Sequence, residues 1–248
     1  MTSSIYLFFA SAAATAAEHG AEAAGEGGHG APLFKLLGLD VTAQVTTTWV
    51  VMAILITLGW LATRNLQREP RGIQNVMEML LEALLGFFAS IMGRDLAKKT
   101  MPFIGTMFLF ILVSNYSGLI PGAGYIKGFA APTSVWGVTL GLGIISLVGV
   151  QYFGVRKKGV KFFSHLFQPW FLTPINILEE IARPVSLSLR LYGNVFGEEM
   201  VTLSLLTVVP YVLPMAAMLL GLIFGFVQAI IFTVLTSVYI AMATAEHH

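Results

Sequence analysis

The chain is a series of long apolar stretches separated by short clusters of charge. About 20 apolar residues are needed to cross a hydrocarbon core of ~30 Å as a helix. Three stretches have that length, at about 45–63, 100–122 and 133–155. Trp49 and Trp60 lie near the ends of the first stretch, which is typical of membrane interfaces. The pattern predicts one transmembrane helix in each stretch.

The C-terminal part of the chain is too long for a single crossing. Met200 to Ala245 contains 46 residues and no charged side chain, and a helix rises only ~1.5 Å per residue. Pro210 and Pro214 predict a turn, because proline lacks a backbone donor and disfavours continued helix. We therefore expect a long tilted hairpin with arms at about 174–209 and 215–243.

Residues 73–92 have a different pattern. Polar and small residues recur at spacings of three and four and form one narrow stripe, which consists of Asn75, Glu78, Glu82, Gly86 and Ala89. The stripe predicts an amphipathic helix lying flat in the cytoplasmic interface. The alternative, a span with two buried glutamates, would place the basic residues that follow it outside.

Composition excludes an ordinary water-soluble domain. Hydrophobic residues make up 56% of the 248-residue chain, charged residues 11%, and the mean hydropathy is +0.79. Without cysteine there is no disulfide, thiolate nucleophile or cysteine-ligated metal. The predicted fold class is an all-α membrane protein with about five transmembrane helices, one flat interfacial helix and a C-terminal hairpin.

The distribution of positive charge predicts the orientation. Ten of the fourteen basic residues form three clusters, and cytoplasmic loops carry such an excess. The clusters are Arg64, Arg68 and Arg71; Arg94, Lys98 and Lys99; and Arg156, Lys157, Lys158 and Lys161. We expect the N-terminus outside and the C-terminus in the cytoplasm.

Residues 1–39 are expected to form an extracytoplasmic segment, followed by a membrane domain at 40–248. The apolar start IYLFFASAAATAA and its AxA-like sites resemble a cleavable signal peptide, although no basic residue precedes the apolar run. Cleavage and retention both stay open.

The first arm of the hairpin places ionisable residues inside the membrane. Arg190, Asn194, Glu198 and Glu199 lie within it, and ionisable groups at this depth cost at least a few kcal/mol unless they face protein or water. Such residues normally mark an ion or substrate pathway. The alternative is a structural pair between an arginine and a glutamate that holds two helices together.

Helix geometry separates these residues. Steps of three and four put one set of residues on the same face, namely Arg183, Ser186, Arg190, Gly193, Asn194 and Gly197. Glycines on that face permit close approach of another helix. Glu199 is about half a turn away from Arg190 and ~13 Å along the axis, so we expect another chain to supply the anion. Gln228, on the second arm, is expected either to face Arg190 across the hairpin or to be an amide that a neighbouring helix satisfies.

Several motifs resemble subunit a of F-type (rotary) ATP synthases, especially the chloroplast, cyanobacterial and related bacterial forms. They are PINILEE, RPVSLSLRLYGN, MPFIGTMFLFILVSNYSGLIPG, AAPT and FVQAIIFTVLTSVYIAM, and the resemblance runs from about residue 40 to the C-terminus. It implies that Arg190 is the essential arginine facing the ring of c subunits. It also implies that Asn194, Glu199 and Gln228 are the polar residues beside it.

The resemblance further implies a function and partners. The chain would be the stationary channel subunit, with two half-channels that couple proton or sodium flow to rotation of the c-ring. Peripheral-stalk b-type subunits and membrane lipid would be its other partners, in a bacterial plasma membrane or alternatively a thylakoid. No cofactor, metal or nucleic acid is expected to bind. The chain contains no GxxxxGK[ST] loop, so no nucleotide is expected to bind either. It would not be an enzyme by itself.

The sequence disfavours two other functions. A secondary transporter with its substrate site at Arg190 is disfavoured, because the chain shows no pair of equivalent hydrophobic halves. A haem-bearing respiratory subunit is disfavoured, because only His165 lies near a membrane segment and axial ligand pairs are missing.

Overall fold

The computed structural model of the chain describes residues 34–36, 39–64, 72–119, 131–159, 173–208 and 212–245. Parts of several predictions lie outside these ranges. They are most of the N-terminal segment, the end of the span expected at 100–122, the last residue of the arm expected at 174–209, the turn at Pro210, and the residues Arg68, Arg71, Lys161 and His165.

Six α-helices, one 3-10 turn and one short β-hairpin make up the described ranges. The elements are β1 (Phe34–Leu36), β2 (Leu39–Val41), α1 (Ala43–Thr63), α2 (Ile73–Met92), α3 (Arg94–Gly118), the 3-10 turn (Pro132–Ser134), α4 (Trp136–Lys158), α5 (Thr173–Val208) and α6 (Val212–Thr244). The two strands are antiparallel, with Lys35 opposite Asp40, and were not predicted. The all-α fold class is confirmed.

Glycines with positive φ end two of the helices. Gly159 has φ 65°, and its N–H donates to the carbonyl of Val155 after the three basic residues in the last turn of α4. Gly93 has φ 83° and is the only residue between α2 and α3. Because glycine has no Cβ, it adopts this region readily, and the chain reverses at Gly93 without a loop.

α2 folds back along α3 from this reversal. The side chain of Leu81 lies 3.9 Å from the position that a Cβ on Gly105 would occupy, and each residue is twelve positions from Gly93. Leu84 and Phe88 are the buried residues of α2, whereas Glu78 and Glu82 are exposed. The flat orientation of α2 in the interface stays a prediction.

α6 is the central helix of the fold and packs against α2, α3, α4 and α5. Its buried face is partly polar and comprises Gln228, Ala229, Phe232, Thr233, Thr236, Ser237, Ile240 and Thr244. Most of these hydroxyls donate to carbonyls of their own helix, as Ser237 does to Thr233 at 2.7 Å. The Thr236 hydroxyl also bonds to Ser146 of α4 at 2.8 Å. Small hydroxyl-bearing residues therefore let the helices pack closely without leaving these groups unsatisfied.

Two glycines of α4 allow its neighbours to approach closely. A Cβ at Gly143 would lie 2.7 Å from the carbonyl oxygen of Pro184 in α5 and closer still to Ser188 Oγ. A Cβ at Gly149 would overlap the ring of Phe103 in α3. Gly143 therefore lets α4 pack closely against α5, and Gly149 makes room for the Phe103 side chain of α3.

Five of the six helices in the described ranges are long and apolar enough to cross a membrane. They lie at Gln44–Thr63, Ile73–Met92, Arg94–Gly118, Trp136–Lys158 and Met215–Thr244. α2 is included because length and apolar composition do not distinguish a span from an interfacial helix. α5 is not among them, and it contains charged and polar residues along its length.

Candidate functional site

α5 and α6 form an antiparallel pair whose register is set by contacts between side chains. Arg183 lies over the ring of Tyr239, 5.1 Å from its centroid, and Asn194 bonds to Gln228. Eleven residues separate the contacts on each helix, as expected for two antiparallel helices with the same rise. The polar residues predicted on the two arms therefore lie together.

Arg190 lies at the midpoint of α5 and is exposed. No residue in the described ranges forms an ion pair or a hydrogen bond with its side chain. Neighbouring Leu189 on α5 is 52% exposed. The described residues of the chain therefore leave the Arg190 side chain uncovered.

Asn194 and Gln228 join the two arms one turn beyond Arg190. Asn194 Nδ2 donates to Gln228 Oε1 at 2.7 Å, and Gln228 is only 2% exposed. Gln228 Nε2 is buried and has no acceptor among the described residues. The Gln228 amide, which was expected to face Arg190, is therefore bonded to Asn194. This hydrogen bond fixes the position of the Gln228 amide one turn from Arg190.

Glu198 and Glu199 follow one turn later and are both half-buried. The carboxyl group of Glu198 packs directly against Gly221 of α6, where any Cβ would overlap it. Its Oε1 is buried and receives no hydrogen bond within the described part of the chain. Glu198 therefore lies at the interface of the hairpin, and the glycine opposite makes room for its carboxyl group.

Arg183 differs from the expectation that it shares an open face with Arg190. Its guanidinium forms ion pairs with Glu179 at 2.7 Å and Glu180 at 3.2 Å. Gln151 of α4 donates to Glu180 at 2.5 Å, so this cluster connects α4, α5 and α6. A long side chain can bend toward acidic residues one turn earlier. The position of the Arg183 Cα on the helix face therefore does not determine where its guanidinium lies.

The other residues expected to face a partner lie on the open side of α5. Ser186 and Gly193 are exposed, and Gly197 is half-buried. No described atom outside the surrounding stretch of α5 lies within 4 Å of the position that a Cβ on Gly193 or Gly197 would occupy. This small-residue surface beside Arg190 is therefore accessible to a second helix.

A buried polar network behind the hairpin was missed by the sequence analysis. Asn115 of α3 donates to the carbonyl of Gly225 in α6 at 3.0 Å, and its Oδ1 accepts from Thr133 at 2.8 Å. A Cβ at Gly225 would lie 3.2 Å from the Asn115 side chain. Asn115 and Thr133 belong to the NYSG and AAPT motifs, and these motifs were the only signal in the sequence.

Comparison with known proteins decides the family. Residues 45–241 match the family model described as "ATP synthase A chain". The chain belongs to the ATP synthase A chain family. The matched range contains α5 and nearly all of α6, so the polar residues described above all lie within it.

Two curated relatives agree with this assignment. The chain is 42% identical over 217 residues to "ATP synthase subunit a" of Moorella thermoacetica, covering 87% of this chain and 96% of the relative. It is 37% identical over 221 residues to "ATP synthase subunit a, chloroplastic" of Stigeoclonium helveticum, covering 87% and 90%. This member of the ATP synthase A chain family is therefore a multi-pass membrane protein of the ATP synthase membrane sector and not an enzyme by itself.

Proposed function

We propose that this chain is the stationary ion-translocating subunit of ATP synthase and that Arg190 separates two half-channels at the surface of a rotating c-ring. The observation that carries the proposal is the exposed, unpaired Arg190 at the midpoint of an amphipathic 36-residue helix. A permanently charged side chain in an apolar surface requires an anion nearby. The described residues of the chain supply none to it.

The partner would carry its anion on a carboxylate that rotates past α5. A carboxylate crosses lipid at low cost only when it is protonated or ion-loaded. Opposite Arg190 the ionised form is favoured, so the ion is released there. Arginine suits this role because it stays charged even when poorly hydrated. Its fixed charge also opposes direct passage of a cation from one half-channel to the other.

The open face of α5 supports the proposed contact with the c-ring. Ser186, Gly193 and Gly197 leave a shallow surface on both sides of Arg190, and small residues permit close helix contact in membranes. Arg183 pairs with Glu179 and Glu180 of the same helix, and its contact with the ring stays a prediction. Peripheral-stalk b-type subunits and lipid would occupy other surfaces.

Glu198 and Glu199 are proposed to line the outer half-channel. If α5 enters from the cytoplasm, both residues lie farther toward the outside than Arg190 does. The proposed direction of α5 across the membrane follows from the basic clusters. One cavity is lined by the C-terminal end of α6 together with four basic residues, Arg94, Lys99, Arg156 and Lys157. The excess of positive charge at that end favours a cytoplasmic C-terminus, in a bacterial plasma membrane or, alternatively, a thylakoid.

Glu199→Gln is expected to slow ATP-driven ion pumping by at least about tenfold, since positioned proton-transfer groups contribute ~10² or more to such steps. Glu199→Asp should retain more activity, because a titratable group remains. The measurement is quenching of a pH-sensitive dye in vesicles that contain the complete complex, normalised to the amount of assembled complex.

Glu198→Gln is the matched comparison and should have the smaller effect. If it stops pumping while Glu199→Gln pumps normally, the two glutamates must be exchanged in this proposal. Normal pumping by both variants would place the outer half-channel elsewhere.

A further inference from the structure

A cavity of about 850 Å³ opens at the end of the bundle where α3 begins and where α4 and α6 end. Pockets of about 300–1,000 Å³ accommodate small molecules. The cavity lies far from Arg190 along the hairpin, because its α6 residues, Ala241, Thr244 and Ala245, follow Gln228 by thirteen or more positions. The proposed translocation site does not use it.

The lining of the cavity is strongly basic. Arg94 and Lys99 come from α3, Arg156 and Lys157 come from α4, and Asp95 is the single acidic residue among the lining residues. None of the four cations forms an ion pair within the described ranges. Arg156 is instead held over the Tyr152 ring, with a hydrogen bond of 3.2 Å to its hydroxyl. The concentration of unpaired positive charge in a concave site favours an anionic ligand.

The start of α3 adds to this positive potential. Gly93 is the N-cap and has no side chain to satisfy the first N–H groups of the helix. Gly93, Arg94 and Leu96 all line the cavity. Free N–H groups and the helix dipole both stabilise an anion at a helix N-terminus.

Apolar residues complete the cavity and indicate what kind of anion it binds. Met92, Leu96 and Phe153 line it together with the basic residues. α3, α4 and α6, whose ends form the cavity, are long and apolar enough to cross a membrane. A ligand with a phosphate at one end and hydrocarbon at the other matches both parts of this lining, whereas a free anion would leave the apolar part in contact with water.

We propose that this cavity binds the phosphate-bearing headgroup of an anionic phospholipid. The phosphate would lie among the four basic side chains and the N-terminus of α3. The glycerol and the first part of the acyl chains would contact the apolar residues. Basic pockets between transmembrane helices on the cytoplasmic side recognise lipid headgroups in this way.

The test uses paired lysines on the same two helices. Lys99 and Lys157 line the cavity, whereas the adjacent Lys98 and Lys158 do not. The double variant Lys99→Gln with Lys157→Gln and the control Lys98→Gln with Lys158→Gln therefore have the same net charge. Each purified complex is equilibrated with mixed micelles of phosphatidylglycerol and phosphatidylcholine, and bound lipid is counted by native mass spectrometry.

The cavity variant should bind phosphatidylglycerol roughly thirtyfold more weakly than the control, since each basic residue near the surface contributes about fivefold. Phosphatidylcholine binding should be equal in the two. Equal phosphatidylglycerol binding in both variants would overturn the proposal. Displacement of the lipid by millimolar inorganic phosphate would also contradict it and identify the cavity as a site for the free anion. Loss of a peripheral-stalk subunit from the cavity variant, with lipid unchanged, would identify a protein ligand instead.

Discussion

ATP-driven ion pumping should fall to background when Arg190 is replaced by alanine in the assembled complex. The substitution removes the only charge on the exposed midpoint of α5, so nothing on this surface would favour release of the ion from the rotor carboxylate. Pumping is measured in vesicles that contain the complete complex. ATP hydrolysis by the detached soluble sector is the control and should be unchanged.

Arg190→Lys should also be severely impaired, although it keeps a basic residue. An ammonium group lacks the planar fork of the guanidinium and loses its proton more readily when it is desolvated. Near-normal pumping by the alanine variant would exclude Arg190 as the separator of the half-channels.

Gly143→Val should prevent stable packing of α4 against α5. The added Cβ would lie 2.7 Å from the Pro184 carbonyl oxygen and would overlap Ser188 Oγ. The Ser188 hydroxyl is itself bonded to that carbonyl at 2.7 Å, and a backbone oxygen cannot rotate away. Overpacking a close contact costs about 1–3 kcal/mol or more. We expect little assembled complex on a native gel of the membrane fraction.

Gly141→Val is the matched control, because no described atom outside the surrounding stretch of α4 lies within 4 Å of the corresponding Cβ position. Both substitutions place valine inside α4, so their intrinsic helix propensities are the same. Gly141→Val should assemble nearly normally. Equal assembly of the two variants would show that the crossing at Gly143 tolerates separation of the helices.

The helices could be read from the sequence because charge and length constrain them strongly. The arms expected at 174–209 and 215–243 correspond to Thr173–Val208 and Val212–Thr244. Apolar runs must be helical in lipid, and clusters such as Arg156 to Lys158 occur where a helix leaves it. Pro214 lies within the first turn of α6, where a missing N–H has no cost.

Contacts between helices could be predicted less well from the sequence. The pattern of α5 placed Arg183, Arg190 and Asn194 on one side of the helix, but the rotamer of each long side chain depends on what lies opposite. Tyr239 and the acidic residues before it bind Arg183, while Gln228 binds Asn194. Of these three residues, Arg190 alone has no partner among the described residues. Which residue of α5 finds a partner depends on the register of α6.

The Asn115 network shows why some polar contacts cannot be predicted from the sequence pattern of a single helix. Asn115 is one polar residue near the end of an apolar helix, and its sequence context resembles an ordinary helix end. Its partners, Gly225 and Thr133, lie 110 and 18 residues away. Single-helix periodicity contains no information on such long-range contacts.

Photocrosslinking from the open face of α5 tests the central proposal most directly. The chain contains no cysteine, so Ser186→Cys, labelled with a benzophenone maleimide in an otherwise cysteine-free complex, carries the only probe. Ile56→Cys on α1 is the control, since Ile56 is 71% exposed on a different surface. The account predicts a crosslink from position 186 to the small rotor subunit and none from position 56. Crosslinking of position 186 only to lipid or to a stationary subunit would contradict it.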